Sequence, residues 1–200
     1  MSAGNSRKTA QDILRYASFV AKIAYCPSNR TIVELHRLTP LSQQCVLLKE
    51  VLVEQIKMLT DRGVMDFLSG MAQGTDHWCS EIVLDLQKKN SVPKLHCILP
   101  CKGQESKWTA SAQERYRSIL AQANEVIYVG QEYNRDCILK RNRYLVDHSS
   151  ILLAVYNGTW RSGTGATVRY AQQLNCEIIM IDPAGPFRYN SNIPFMEERI

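Results

Sequence analysis

The stretch Val64-Met-Asp-Phe-Leu-Ser-Gly-Met-Ala-Gln-Gly-Thr-Asp76 decides the fold. Val64 to Leu68 is a short apolar run of strand length, and Ser69-Gly70 ends it. From Asp76 to Leu86 the apolar residues Trp78, Ile82, Val83 and Leu86 fall at helical steps. Strand, glycine turn and helix therefore follow one another in about twenty residues, as in half of a βαβ unit.

Working outward, the same alternation repeats. Leu41, Cys45, Leu48, Val51, Leu52, Ile56 and Leu59 predict a helix over 41–60 that Gly63 closes. Downstream, the pattern predicts strands at 94–99, 125–129, 151–156 and 177–181, with helices at 111–123, 139–147 and 164–174 between them. Strands separated by helices of this length call for right-handed crossovers. The expectation is an α/β, Rossmann-like, doubly wound and mostly parallel sheet with helices on both faces. The unbroken apolar run Ile151-Leu-Leu-Ala-Val155 suits a strand covered on both sides. Before residue 41, Ala10, Ile13, Leu14 and Ala17 suggest a helix and 19–25 the first strand. One domain spans 1–200, with 1–18 as an N-terminal extension and 183–200 as an irregular surface tail rich in proline.

Two hundred residues, 45% of them hydrophobic, suffice for one core. The seven cysteines are odd in number and scattered, which reads as reduced, buried thiols and not as a secreted framework. His96 beside Cys97 and Cys101 comes nearest to a metal set but lacks ligand spacing, so neither metal nor cofactor is implied. No signal peptide and no run of about 20 apolar residues is present, so a cytoplasmic protein with no membrane contact is expected. The net charge of +5 suits an anionic small molecule.

In an open α/β sheet, ligands sit beyond the carboxyl ends of the strands. Three turns there carry candidate residues. In the first, Gly70 and Gly74 let backbone approach a ligand beside Ser69, and the amides at Thr75 and Asp76 suit a phosphate; a tight turn with a capped helix reads the residues equally well. Tyr156-Asn-Gly-Thr-Trp-Arg-Ser-Gly-Thr-Gly-Ala-Thr167 reads as a second anion cradle, with Gly158, Ser162, Gly163, Thr164 and Thr167 as its contacts, or as a plain flexible loop. It is neither a Walker A loop nor a GxGxxG fingerprint, so ATP hydrolysis has no support. In the third, Trp108 either stacks on a base or anchors a helix start. Arg141 and Asn142, next to Arg143, suit phosphate or ribose, or form a solvated helix face.

Together these segments resemble the YpsA-like branch of the SLOG superfamily, Rossmann-like proteins that also include the LOG phosphoribohydrolases and the DNA-processing protein DprA. The matching residues are Phe67-Leu-Ser-Gly-Met-Ala-Gln-Gly-Thr-Asp76 with Trp78 and Glu81, Pro100 with Gln104 and Trp108, and Arg115-Tyr116. Further on they are Arg141-Asn-Arg-Tyr-Leu-Val-Asp147, Leu153-Ala-Val-Tyr156, and Gly163-Thr164 with Thr167. The resemblance implies a nucleotide-derived ligand between the Ser69-Gly70 and Gly163-Thr164 turns. Two departures matter. Similar proteins open on Thr-Gly-His-Arg-Pro, where this chain has Pro27-Ser-Asn-Arg-Thr31 and keeps only Arg30 as a ligand contact. LOG enzymes carry a glutamate in the helix after the second turn, where this chain has Gly-Ala-Thr-Val-Arg-Tyr-Ala171.

The sequence therefore reads as a sensor or sequestering module for a nucleotide signal, such as an ADP-ribose or cyclic-nucleotide derivative, with no catalytic residue. The alternative is a nucleoside-monophosphate phosphoribohydrolase in which Asp76 or Glu81 replaces the missing glutamate. A third reading, single-strand nucleic-acid binding through Lys140, Arg141, Arg143 and Trp108, fits the moderate charge poorly, so nucleic acid is not expected as partner. A homo-oligomer is expected.

Overall fold

The computed structural model describes residues 16–21, 40–90, 93–132, 134, 136–183 and 190–191. Among them seven strands form one sheet: β1 (Tyr16–Ala21), β2 (Asp66–Ser69), β3 (Lys94–Leu99), β4 (Glu125–Tyr128), β5 (Ile151–Val155), β6 (Glu177–Ile181) and β7 (Asn190–Ser191). The helices are α1 (Pro40–Asp61), α2 (Thr75–Asn90), α3 (Ala110–Gln122), α4 (Cys137–Asp147) and α5 (Gly163–Gln173).

The strand order is β4-β3-β2-β1-β5-β6-β7. All pairings from β4 to β6 are parallel, and β7 adds an antiparallel edge. The chain steps outward from β1 to β4, then crosses back to lay β5 on the other side of β1 and continues to β6. A right-handed crossover puts its helix on a face set by the direction of travel, so reversing direction reverses the face. The packing follows. Leu52, Ile56, Leu59, Val83 and Ile119, from α1, α2 and α3, share one core with Phe67, Leu95, Cys97 and Leu153. Leu145, Val146, Val168 and Ala171, from α4 and α5, share the other with Leu68, Ile98, Leu152 and Ala154. Every residue of β5 is buried, alternating between the two cores.

Three expectations need correction. Strand β1 begins at Tyr16, not at 19, and takes in Ala17, expected in a helix; residues 10–14 and 22–25 lie outside the described residues. The alternation Tyr-Ala-Ser-Phe-Val-Ala serves either element, and pairing with β2 and β5 on both edges selects the strand. In the tail expected to be irregular, Asn190 and Ser191 pair with Met180 and Ile179. Cys45 is disulfide-bonded, whereas Cys79, Cys97, Cys101, Cys137 and Cys176 are free thiols as the composition implied. Disulfide pairing depends on closeness in space, which spacing along the chain does not report. No described helix is long and apolar enough to cross a membrane.

Candidate functional site

The reversal of strand order falls between β1 and β5; the turn after β5 borders it, the turn after β2 lies one strand away beyond β1, and residues 22–39 after β1 lie outside the described residues. The turn after β2 is held rigidly from inside. Met71 has a left-handed backbone (φ 56°), a costly conformation for a residue with a side chain, and it persists only where neighbours fix it. Its amide donates to Ser69 Oγ at 3.2 Å and its carbonyl accepts from Gln104 Nε2 at 3.0 Å. Ser80 Oγ donates to Ser69 Oγ at 2.9 Å, so the fully buried Ser69 hydroxyl is engaged within the protein. Gly74, at φ 97°, makes the second left-handed step that leads into α2.

Asp76, 3% exposed, closes the same turn by accepting the Ala72 amide at 3.0 Å. Arg141 from α4 also lies against it, with Nη1 3.8 Å from the same carboxylate oxygen. Burial pulls the Arg141 guanidinium down from its ordinary value and Asp76 opposes that, so the pair shares one desolvated space. This explains Gly70: a Cβ there would sit 1.5 Å from Arg141 Nη1. The glycine expected to admit a ligand admits a guanidinium. Arg141 Nε has no hydrogen-bond partner among the described residues, and neither has the buried Thr75 Oγ1.

One residue further along α4, Asn142 Nδ2 donates to Thr167 Oγ1 at 3.0 Å, and that hydroxyl donates to the Gly163 carbonyl at 2.9 Å. The cradle after β5 is thereby tied to α4. Ser162 caps α5 by accepting the Gly165 amide at 2.9 Å, and its carbonyl accepts from Ala166. The first amides of a helix have no intrahelical partner, so those of Gly163 and Thr164 are left to the space ahead of α5. A Cβ on Gly163 would meet nothing within 4 Å, whereas one on Gly165 would press on the Trp160 and Thr159 carbonyls at 2.8 and 2.9 Å. Gly163 faces open space, and Gly165 is required by the loop folded against it. Gly158, at φ 82°, lies exposed in that loop.

The structure thus links Ser69, Gly70, Asp76, Arg141, Asn142, Gly163 and Thr167 through one chain of contacts, with Thr75 and Thr164 buried beside Asp76 and Gly163 along the chain. Others stand apart from it. Glu81 is held by Arg115 in two hydrogen bonds of 2.6 Å. Trp108 packs edge-on to Tyr116 (5.3 Å) and against His77 (5.6 Å), in the manner of a helix-start anchor. Arg30 lies outside the described residues. The sequence reading passed over His77, which is 2% exposed and whose Nε2 has no hydrogen-bond partner among the described residues. Burial, reinforced by Arg115, lowers its pKa to about 4. Its signal was faint: a histidine following a helix-start aspartate, with Trp108 and Tyr116 far off in sequence.

Two concavities open on the surface near these elements. One of about 250 Å³ follows the seam between α4 and α5, and one of about 460 Å³ lies at the end of β4, lined by Lys102, Tyr128 and Gly130.

Comparison with known proteins adds the family. A family model described as YpsA, the YspA SLOG family, matches residues 33–184. The uncharacterized SPbeta prophage-derived protein YoqJ of Bacillus subtilis is 32% identical over 142 residues, covering 63% of this chain and 81% of YoqJ. A UPF0398 protein of Halalkalibacterium halodurans is 30% identical over 112 residues, covering 55% of this chain and 59% of its own. One of Staphylococcus epidermidis is 24% identical over 148 residues, covering 70% and 79%. The chain spans about three fifths of the length of several UPF0398 relatives. None of these names states a ligand or an activity.

Proposed function

Because the chain belongs to the YpsA-type SLOG family, we propose that it binds a nucleotide-derived anion at the carboxyl edge of its sheet and holds it without turnover. The observation that carries this reading is the consecutive pair Arg141-Asn142. One side chain reaches the β2 turn and the next reaches the start of α5. A ligand between those turns meets the free amides of α5 and a buried guanidinium with an unused donor, the polar groups that fix a phosphate or a ribose. ADP-ribose and cyclic nucleotides belong to the class that fits. Cytoplasmic residence and assembly with like copies belong to the same proposal.

The absence of turnover is argued from the carboxylates. The first turn of α5 carries none. Asp76 Oδ2 accepts the Ala72 amide and faces Arg141, and Glu81 is held by Arg115. Without a positioned acid or base, the roughly 10²–10⁴-fold that such a group contributes is lost, and N-glycosidic hydrolysis stays near background.

The test gives purified protein a panel of nucleoside monophosphates, NAD and ADP-ribose, and follows binding by calorimetry and free base by chromatography. Binding by the wild type, lost in a folded Gly163→Val variant, is the expected result, because the new side chain enters the space over the α5 amides. Unchanged affinity in that variant removes this cradle from the site. Base release that collapses in Asp76→Asn while binding persists converts the module into an enzyme.

A further inference from the structure

We propose that the seam between α4 and α5 is a second anion site, shaped for the phosphoryl group of a small phosphomonoester held by Arg143 and Arg169. The seam is a concavity of about 250 Å³ to which α4 contributes Leu139, Asn142 and Arg143, and α5 Thr167, Arg169 and Tyr170. Pockets that enclose a whole small ligand run to about 300–1,000 Å³, so this one suits the charged end of a molecule whose remainder stays in solvent.

Its chemistry is one-sided. The lining holds two guanidinium groups and no carboxylate. Asp147, the nearest acidic residue in contact with the lining, already accepts the Tyr170 hydroxyl at 2.6 Å. Exposed Lys140 and Arg161, on the segments that form and lead into the seam, add positive charge, and exposed Asp136 lies just ahead of α4. Both guanidinium groups are braced by rings: Arg143 Cζ lies 5.7 Å from the Tyr170 centroid, and Arg169 Cζ lies 4.1 Å from that of Trp160. Arg169 Nη1 also donates to the Trp160 carbonyl at 2.9 Å. Such bracing limits the freedom of a long side chain before any anion arrives and leaves most of the five N–H donors of each group unspent. Both guanidinium groups line one groove, and a phosphoryl group takes paired N–H donors from such groups.

This site goes beyond the nucleotide reading. Its α5 lining comes from Ala166 to Gln173 and does not include Gly163 or Thr164, although Asn142 and Thr167 border both sites. The experiment titrates inorganic phosphate into the full-length protein at low salt and follows the Arg143 and Arg169 Nε–H signals and the Tyr170 ring by NMR. Saturable shifts at these residues are expected, with affinity lowered at least about tenfold in Arg143→Gln/Arg169→Gln. Arg143→Lys/Arg169→Lys, which keeps the charge but not the paired donors, falls between. The Gly163 and Thr164 amide signals do not follow the saturation curve of the seam, which separates this site from the cradle. Both arginines are at the surface, and unchanged circular dichroism checks that the variants fold. Shifts confined to Gly163 and Thr164, or undiminished affinity in the double glutamine variant, overturn the proposal. So does a single-stranded oligonucleotide that displaces phosphate through the same arginines with a steep salt dependence, which assigns the seam to nucleic acid.

Discussion

At Gly70 the absence of a side chain is explained by a neighbour 71 positions away, because the Arg141 guanidinium occupies the place a Cβ would take. Gly70→Ala forces that group out of a closed space or strains the turn, so a loss of about 1–3 kcal/mol is expected by urea denaturation. The loss shrinks when Arg141 is already Ala, since the clash is then gone; equal losses in both backgrounds would mean that the turn itself rejects the methyl. The sequence showed a glycine where glycine is needed, but not why. His77 gives a second expectation. Its pKa in the folded chain is about 4, against an ordinary value of 6.5. Above pH 6.5 it is neutral in both states and contributes nothing to the pH dependence. As pH falls from 6.5 to 4, the unfolded chain takes a proton that the folded one refuses, and stability drops by up to about 3 kcal/mol. Denaturation midpoints at pH 7 and 4.5 should show a smaller fall for His77→Phe than for the wild type, and identical falls would assign the acid sensitivity elsewhere.

Among the elements, those with a strong period were legible. Helix α1 and strands β3, β5 and β6 lie where the spacing of apolar residues puts them, because each must bury a defined stripe or both faces. Strand β1 was less legible because its six residues satisfy two periods, and β7 because two residues carry no period at all; pairing partners decide both. Helix α4 hid most. Arg141 and Asn142 read equally well as a solvated face, and only the return crossover from β4 to β5 turns them inward, where both are buried. Strand β3 makes its own prediction. Cys97 is fully buried, and burial pushes its thiol up to about 12. A thiol reagent should leave it untouched in native buffer and label it in urea, as read by peptide mass mapping. Rapid native labelling would mean that the strand opens to solvent.

At the scale of the molecule, the parallel sheet and its two helical layers follow from alternation and handedness, but the order of strands does not. Nothing along the chain says that β5 should lie beside β1 and not beside β4. That choice has a consequence for synthesis. On a chain that emerges from its amino terminus, β1 gains its first neighbour when β2 appears, yet its other edge stays open until residues 151–155 arrive to pair with 17–21. Through that interval the future centre of the sheet is an unpaired border, the kind of surface that recruits strands from other chains. A chain ending at Ser150 is frozen at that stage, and it should collect in the insoluble fraction where the full chain remains in solution. A soluble monomeric fragment, seen by light scattering, would show that the first four strands protect their own edge. The last quarter of the chain thus serves as the lid of a nascent sheet, and an interrupted ribosome leaves this protein exposed at its middle.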